Sequence, residues 1–264
     1  MPSPLLAANG LNFFYANTQA LFDIDLQVFA GQYLSVIGPN GSGKSTLMRL
    51  LCGQAKPSSG QVLLNGADLL SLPVAVRARQ CAVVFQNETA QLPFTCLELV
   101  QMGLHPFRSR FGAPSPQQME LVCNTMRQAD VWKLRDRLAT QVSGGEYQRV
   151  ILARAVVQSP QLLLVDEAMS DMDIGAKLDM TAYLRHLAAQ NNMAVVAVNH
   201  DLSIAYRQSD NVLVLQGGRV AAFGPPAEVM TASFFRTVFG VDADIVPDKG
   251  FFINHSINQK EYDV

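Results

Sequence analysis

The stretch Gly38-Pro39-Asn40-Gly41-Ser42-Gly43-Lys44-Ser45 fits the pattern G-x-x-x-x-G-K-[ST] of a loop that cradles phosphates. Its flanks make the match specific. Before it, Tyr33 to Ile37 (YLSVI) is a short apolar run bounded by glycines, which predicts a buried strand. After it, TLMRLLCG is helical in pattern and stops at Gly53. Strand, glycine-rich turn and helix is the order the chemistry needs. The glycines let backbone N–H groups turn inward, and the helix N-terminus adds the positive end of its dipole. Lys44 is then placed to reach the β- and γ-phosphates, and the Ser45 hydroxyl to ligate Mg²⁺. Pro39, Asn40, Ser42 and Thr46 complete the nucleotide-binding stretch with Gly38, Gly41 and Gly43.

Outward from this loop the chain alternates strands with helices, so an α/β sheet is expected. Gly60 to Gly66 (GQVLLNG) and Cys81 to Gln86 (CAVVFQ) read as strands. Leu162 to Val165 and Ala194 to Val198 are near-continuous apolar runs, as in parallel strands covered on both faces. Between them Ile174, Leu178, Leu184 and Leu187 recur at helical spacing. Val212 to Gly224 predicts a hairpin turning at Gly217-Gly218. From about Asn87 to Gln141 strand signals vanish. Ser115-Pro116-Gln117-Gln118 is a capping-box start with proline at the first helical position, and Leu121, Val122, Met126 and Ala129 follow at helical intervals. The expected organisation is one domain over 1–240, with a sheet core from 1–86 and 142–240 and a helical subdomain inserted at 87–141. Irregular chain is expected from about Val241 to the polar end NQKEYDV.

Composition narrows the function classes. In 264 residues, 49% are hydrophobic and 16% charged, ample for a core and against disorder. A net charge of −2 offers no footprint for nucleic acid, and no Lys/Arg cluster would hold the chain on lipid. The N-terminus MPSPLLAANG lacks the pattern of a signal peptide, and no apolar run approaches the length that spans a bilayer. Cys52, Cys81, Cys96 and Cys123 show no paired spacing, which argues against a disulfide framework or a zinc site. The expectation is a reduced, cytosolic protein whose membrane connection runs through a partner.

A second acidic feature sits at the end of a strand. In Leu162 to Glu167 (LLLVDE) two carboxylates fall at the C-terminal edge, where open α/β sheets bind ligands. Asp166 is suited to hold Mg²⁺, and Glu167 to polarise an attacking water as general base. His200 follows the next apolar strand and ends on the same edge. Gln86, closing CAVVFQ, is a candidate for contact with Mg²⁺ or the water. Tyr15, in NFFYANTQAL, is a candidate to stack on adenine; packing of an early edge strand by Phe13, Phe14 and Tyr15 is the plainer reading.

Val142 to Arg149 (VSGGEYQR) looks like a second phosphate loop in a chain that already has one. Taken together, GPNGSGKST, VVFQ, VSGGEYQRV, LLLVDE, SDMD and VNHD, in that order, resemble the ATP-binding cassette ATPases of ABC transporters over nearly the whole chain. The resemblance implies a P-loop NTPase (RecA-like) α/β core with an inserted α-helical subdomain and an N-terminal antiparallel β part. It implies an ATPase that uses ATP and Mg²⁺. It also answers the puzzle of two loops: in that family two copies pack head to tail, and each signature loop caps the ATP held by the other copy. Ser143, Gly144 and Gly145 would contact the γ-phosphate across the interface, and Asp173 matches the family's interface aspartate. Ser143-x-x-Glu146 is at the same time a capping box for the helix that follows. The family pattern usually has leucine and glutamine where this chain has Val142 and Glu146, and proline, threonine and alanine where it has Ala168, Met169 and Asp171.

The same resemblance implies partners: a second copy of this chain, an integral membrane permease docked on the helical subdomain, and indirectly a substrate-binding protein. The place is then the cytoplasmic face of the inner membrane. Pro93 to Phe107 and Phe234 to Val246 resemble the cassettes of iron–siderophore, haem and cobalamin importers. Other readings stay open on sequence alone: a soluble cassette protein acting on DNA or ribosomes, a P-loop kinase, or the ATPase of an exporter.

Overall fold

The computed structural model describes residues 3–85, 93–107, 112–246 and 250–256. The first strands, β1 (Leu6–Tyr15) and β2 (Thr18–Val28), pair antiparallel with Leu6 opposite Val28 and Tyr15 opposite Thr18. Then comes β3 (Tyr33–Ile37), buried at every residue, followed by the glycine loop and α1 (Lys44–Leu51). β4 (Ser59–Leu64) and β5 (Ala67–Asp68) return to the first pair. The result is a four-stranded antiparallel sheet in the order β2-β1-β4-β5, the antiparallel part expected near the N-terminus.

A short helix not legible in the sequence, α2 (Val74–Gln80), leads into β6 (Cys81–Val84). The strand read as running to Gln86 thus ends earlier, and Gln86 lies outside the described residues. Among the described residues three α-helices follow: α3 (Cys96–Gln101), α4 (Pro116–Gln128) and α5 (Gly144–Val157). Each opens on a complete capping box, at Thr95/Glu98, Ser115/Gln118 and Ser143/Glu146. In each, two backbone donors that the helix leaves unpaired are satisfied by side chains. The described residues between 93 and 141 hold no named strand. A single bridge, Thr95 to Leu138, ties the two ends of this helical section together, with the Cys96 N–H donating to Arg137 O at 2.9 Å.

The chain then alternates: β7 (Leu162–Asp166), α6 (Ile174–Asn191), β8 (Ala194–Val198), α7 (Leu202–Gln208), β9 (Asn211–Gln216) and β10 (Arg219–Gly224). The six-stranded sheet runs β10-β9-β3-β8-β7-β6, parallel from β9 to β6 with β10 as an antiparallel edge. β7 and β8 are buried throughout, as their uninterrupted apolar runs require.

The core lies on both faces of this sheet. On one, Leu34, Val36, Leu164 and Val196 pack with α1 and the antiparallel sheet. On the other, Val84, Val165 and Ala197 pack with α5, α6 and the buried residues of α3 and α4. The helical section therefore has no separate core of its own. Its apolar residues continue the sheet's.

One expectation is corrected. From Val241 the chain is a hairpin, β11 (Val241–Val246) and β12 (Gly250–Ser256), rather than irregular. The alternation of Val241, Ala243 and Ile245 with Asp242 and Asp244 was the available strand signal. Phe251 of this hairpin meets Phe235 at 4.5 Å and Tyr206 at 6.1 Å between ring centroids, so the hairpin closes a third apolar cluster over Ile37 and β9.

Candidate active site

Sheet register brings the catalytic candidates together. Val36 of β3 and Asp166 of β7 both lie opposite Val198, the last residue of β8. The glycine loop, Glu167 and His200 therefore leave three adjacent parallel strands at one edge, where such sheets bind ligands. A single cleft of about 890 Å³ is lined by Tyr15, Asn40 to Thr46, Glu167 and His200. That size is ample for a small-molecule site.

The glycine loop is wedged into place. Gly38 has φ 148°, and a Cβ there would lie 2.0 Å from Leu215 O on β9. Gly43 has φ 100°, and its Cβ would lie 2.6 Å from a Leu21 methyl on β2. No other residue fits either position without moving a neighbour. The loop is also held by the β9–β10 turn, whose Gly218 N–H donates to Ser42 O at 3.2 Å. Sequence reading missed that contact, since it joins residues far apart in the chain.

The loop suits an anion. Ser42 Oγ is buried with no hydrogen-bond partner among the described residues, a donor left for a ligand. Lys44 Nζ folds over the loop and donates to Gly38 O and Pro39 O, each at 3.0 Å. Burial lowers the Lys44 pKa, while the carboxylates of Glu167 and Asp166 pull it back up. A lysine whose ammonium rests on two neutral carbonyls in a half-buried cleft gains from a phosphate partner.

Two of the three metal candidates, Ser45 and Asp166, touch: Ser45 Oγ donates to Asp166 Oδ1 at 3.3 Å. Burial raises the Asp166 pKa, opposed mainly by that hydrogen bond. A hydroxyl and a buried carboxylate side by side are oxygen donors of the type Mg²⁺ takes. Glu167 takes a left-handed backbone (φ 54°) at the turn after β7, and its side chain is 12% exposed. Its Oε1 lies 2.5 Å from His200 Nε2. His200 therefore bears on the Glu167 carboxylate, as a group that orients the base would.

Tyr15 sits at the rim, 47% exposed, edge-on to Phe13 at 4.9 Å. Its hydroxyl pairs with Thr46 Oγ1 at 3.3 Å. It lines the same cleft as the Lys44 loop and packs on its strand neighbour Phe13 at once.

The signature residues lie elsewhere. Ser143, Gly144 and Gly145 line a separate cleft with Glu146, Arg149, Asp171 and Asp173, and that cleft shares no lining residue with the first. Ser143 caps α5, and Asp173 caps α6 by accepting from the Ala176 N–H at 2.8 Å. The family departure at Asp171 finds a partner. Gln148 Nε2 donates to Asp171 Oδ2 at 2.9 Å, and the Asp171 N–H donates back to Gln148 Oε1 at 3.2 Å.

Within one chain, then, the Lys44 loop, Glu167 and His200 line one cleft, with Asp166 in contact with Ser45 of that loop, and the residues around Ser143 line another. The family model described as ABC transporter matches residues 21–170, more than half of the chain. The chain belongs to the ABC transporter family. Over 234 residues it is 37% identical to a cobalamin import ATP-binding protein of Halobacterium salinarum, covering 89% of this chain and 58% of that protein. It thus spans little more than half the length of that relative. Over 249 residues it is 36% identical to a hemin import ATP-binding protein of Bordetella pertussis, covering 91% of this chain and 94% of that one. Among solved structures, a dimeric ATP-binding cassette in a post-hydrolysis state, bound to ADP and Pi, matches with TM-score 0.75 at 25% identity, covering 84% of this chain and 98% of that chain.

Proposed function

We propose that this protein is the ATP-hydrolysing subunit of an ABC importer, working as a head-to-tail pair of copies that drives a separate membrane permease. The observation that carries the reading is the convergence of the Lys44 loop, the Ser45–Asp166 contact and the Glu167–His200 contact in one cleft. The signature loop's absence from that cleft supports the head-to-tail arrangement, since Ser143 can then meet a nucleotide only on another copy.

Bound Mg²⁺–ATP supplies a γ-phosphate made electrophilic by the cation. Ser45 and Asp166 would hold the Mg²⁺. Lys44 would exchange its two carbonyl partners for phosphate oxygens, and the loop N–H groups with the α1 N-terminus would hold the rest. Glu167 would take the proton of the attacking water, with His200 fixing its orientation. Gln86, outside the described residues, is assigned to the same water or cation from its place at the end of CAVVFQ. Tyr15 would stack on the base. Ser143, Gly144, Gly145 and Asp173 would complete the site of the partner copy, so that closure and hydrolysis alternate as a ligand-biased two-state change.

No described helix is long and apolar enough to cross a membrane. In this reading the protein sits on a permease at the cytoplasmic face of the inner membrane, and a substrate-binding protein feeds that permease. The two relatives bear the names of cobalamin and hemin import proteins, which favours a metal chelate as cargo. Tagging the protein and solubilising native membranes in mild detergent tests the assignment: a many-helix permease should co-purify. Recovery from the cytosolic fraction with soluble partners only would overturn the importer.

A further inference from the structure

Ser143 is the residue through which the shared site would reach its ligand, and its donors are already engaged. Its N–H donates to Glu146 Oε2 at 2.9 Å and its hydroxyl to the same oxygen at 3.0 Å. The Glu146 N–H donates back to Ser143 Oγ at 3.3 Å. The hydrogen bond from the Ser143 backbone holds the Glu146 carboxyl below the usual carboxylate range, so it stays ionised at neutral pH. Bonds to an ionised acceptor are about twice as strong as those to a neutral one.

The rest of this cleft adds to the charge. Asp171 is locked by Gln148, and a Cβ placed on Gly144 would lie 3.9 Å from Asp171 Oδ2, so that oxygen overlooks the glycines that should meet phosphate. Asp173 lines the same cleft. The cations acting on Glu146 are Arg137 and Arg149, against the three carboxylates of Glu146, Asp171 and Asp173, and Arg149 Nη1 is drawn to Asp130 at 3.3 Å. An incoming polyphosphate therefore meets more negative than positive charge.

We propose that Glu146 is a charged competitor for the donors of Ser143, a brake that sets how much ATP is needed to close the pair of copies. The proposal rests on the shared-site reading above. For Ser143 to serve a phosphate held by the other copy, its hydroxyl must leave an ionised carboxylate, and that carboxylate then remains beside the phosphate. Glutamine at this position keeps an oxygen acceptor for the Ser143 N–H but removes the charge from both steps. Asp171 opposes the phosphate from the other side of the glycines, at longer range.

The test uses the full chain carrying Glu167→Gln, which should trap the ATP-bound pair, with dimer formation followed by light scattering against Mg²⁺–ATP concentration. Adding Glu146→Gln should lower the half-point about fivefold. Asp171→Asn should lower it by less. The gap between the Glu146 and Glu146→Gln proteins should narrow as KCl rises from about 0.05 to about 0.5 M, because screening weakens exposed charges. An unchanged or raised half-point in a protein of unchanged melting temperature overturns the brake. If Glu146→Gln does not fold, Asp171→Asn decides, and no shift there overturns it equally. Failure of the Glu167→Gln parent to dimerise at any ATP concentration would instead remove the shared-site reading.

Discussion

Asp166 ends β7 at 4% exposure, and burial raises its carboxyl above the ordinary value of 3.8. A raised pKa means that the folded state holds the proton more tightly than the unfolded chain. The group therefore favours folding at low pH and becomes a cost as pH rises through the folded value. At neutral pH the charge costs stability, as the proposed role in holding Mg²⁺ would require. Asp166→Asn, which keeps an acceptor for Ser45, should raise stability at neutral pH by about 1 kcal/mol while abolishing Mg²⁺-dependent hydrolysis. The gain should vanish as pH falls towards 3.8. Thermal melts across pH check this; a loss of stability at neutral pH would contradict it. Tyr15→Ala should weaken nucleotide binding by roughly 1–3 kcal/mol if the ring carries a base. Calorimetry showing no change would leave the ring as a packing partner of Phe13.

At the scale of elements, the sequence was informative wherever local chemistry dictates structure. The capping boxes at Ser115 and Ser143 form as their spacing requires, and the apolar runs of β3, β7 and β8 fill the centre of the sheet. Other features depend on contacts between distant residues, which no local pattern carries. Gln148 clamps Asp171 across 23 positions, and Asn199 Nδ2 reaches Ser35 Oγ at 2.6 Å across 164. α2 buries none of its residues completely, so it leaves no apolar stripe to read. The hairpin of β11 and β12 was legible by its alternation, and its acidic residues masked it. Phe235, fully buried, anchors that hairpin through Phe251. Phe235→Ala should destabilise by about 3–5 kcal/mol and make β12 susceptible to limited proteolysis before the sheet melts. A melting temperature close to that of the parent would show that the C-terminal cluster is peripheral to stability.

The molecule as a whole presents two clefts that share no lining residue. The loop of Lys44 with Glu167 and His200 lines one, and the loop of Ser143 with Asp173 the other. Neither half is a complete ATPase site in the proposed mechanism. The arrangement predicts that activity belongs to the pair. It also predicts that lesions in different halves complement each other. Ser143→Arg blocks the signature half and Lys44→Ala the loop half. In a mixed pair one site then has an intact loop from one copy and an intact signature from the other. The decisive measurement is the ATPase rate of each variant alone and of their equimolar mixture. Near-zero rates for each variant alone, with activity regained on mixing, are the predicted result. A Ser143→Arg protein that hydrolyses ATP on its own at the parent rate would contradict the shared site.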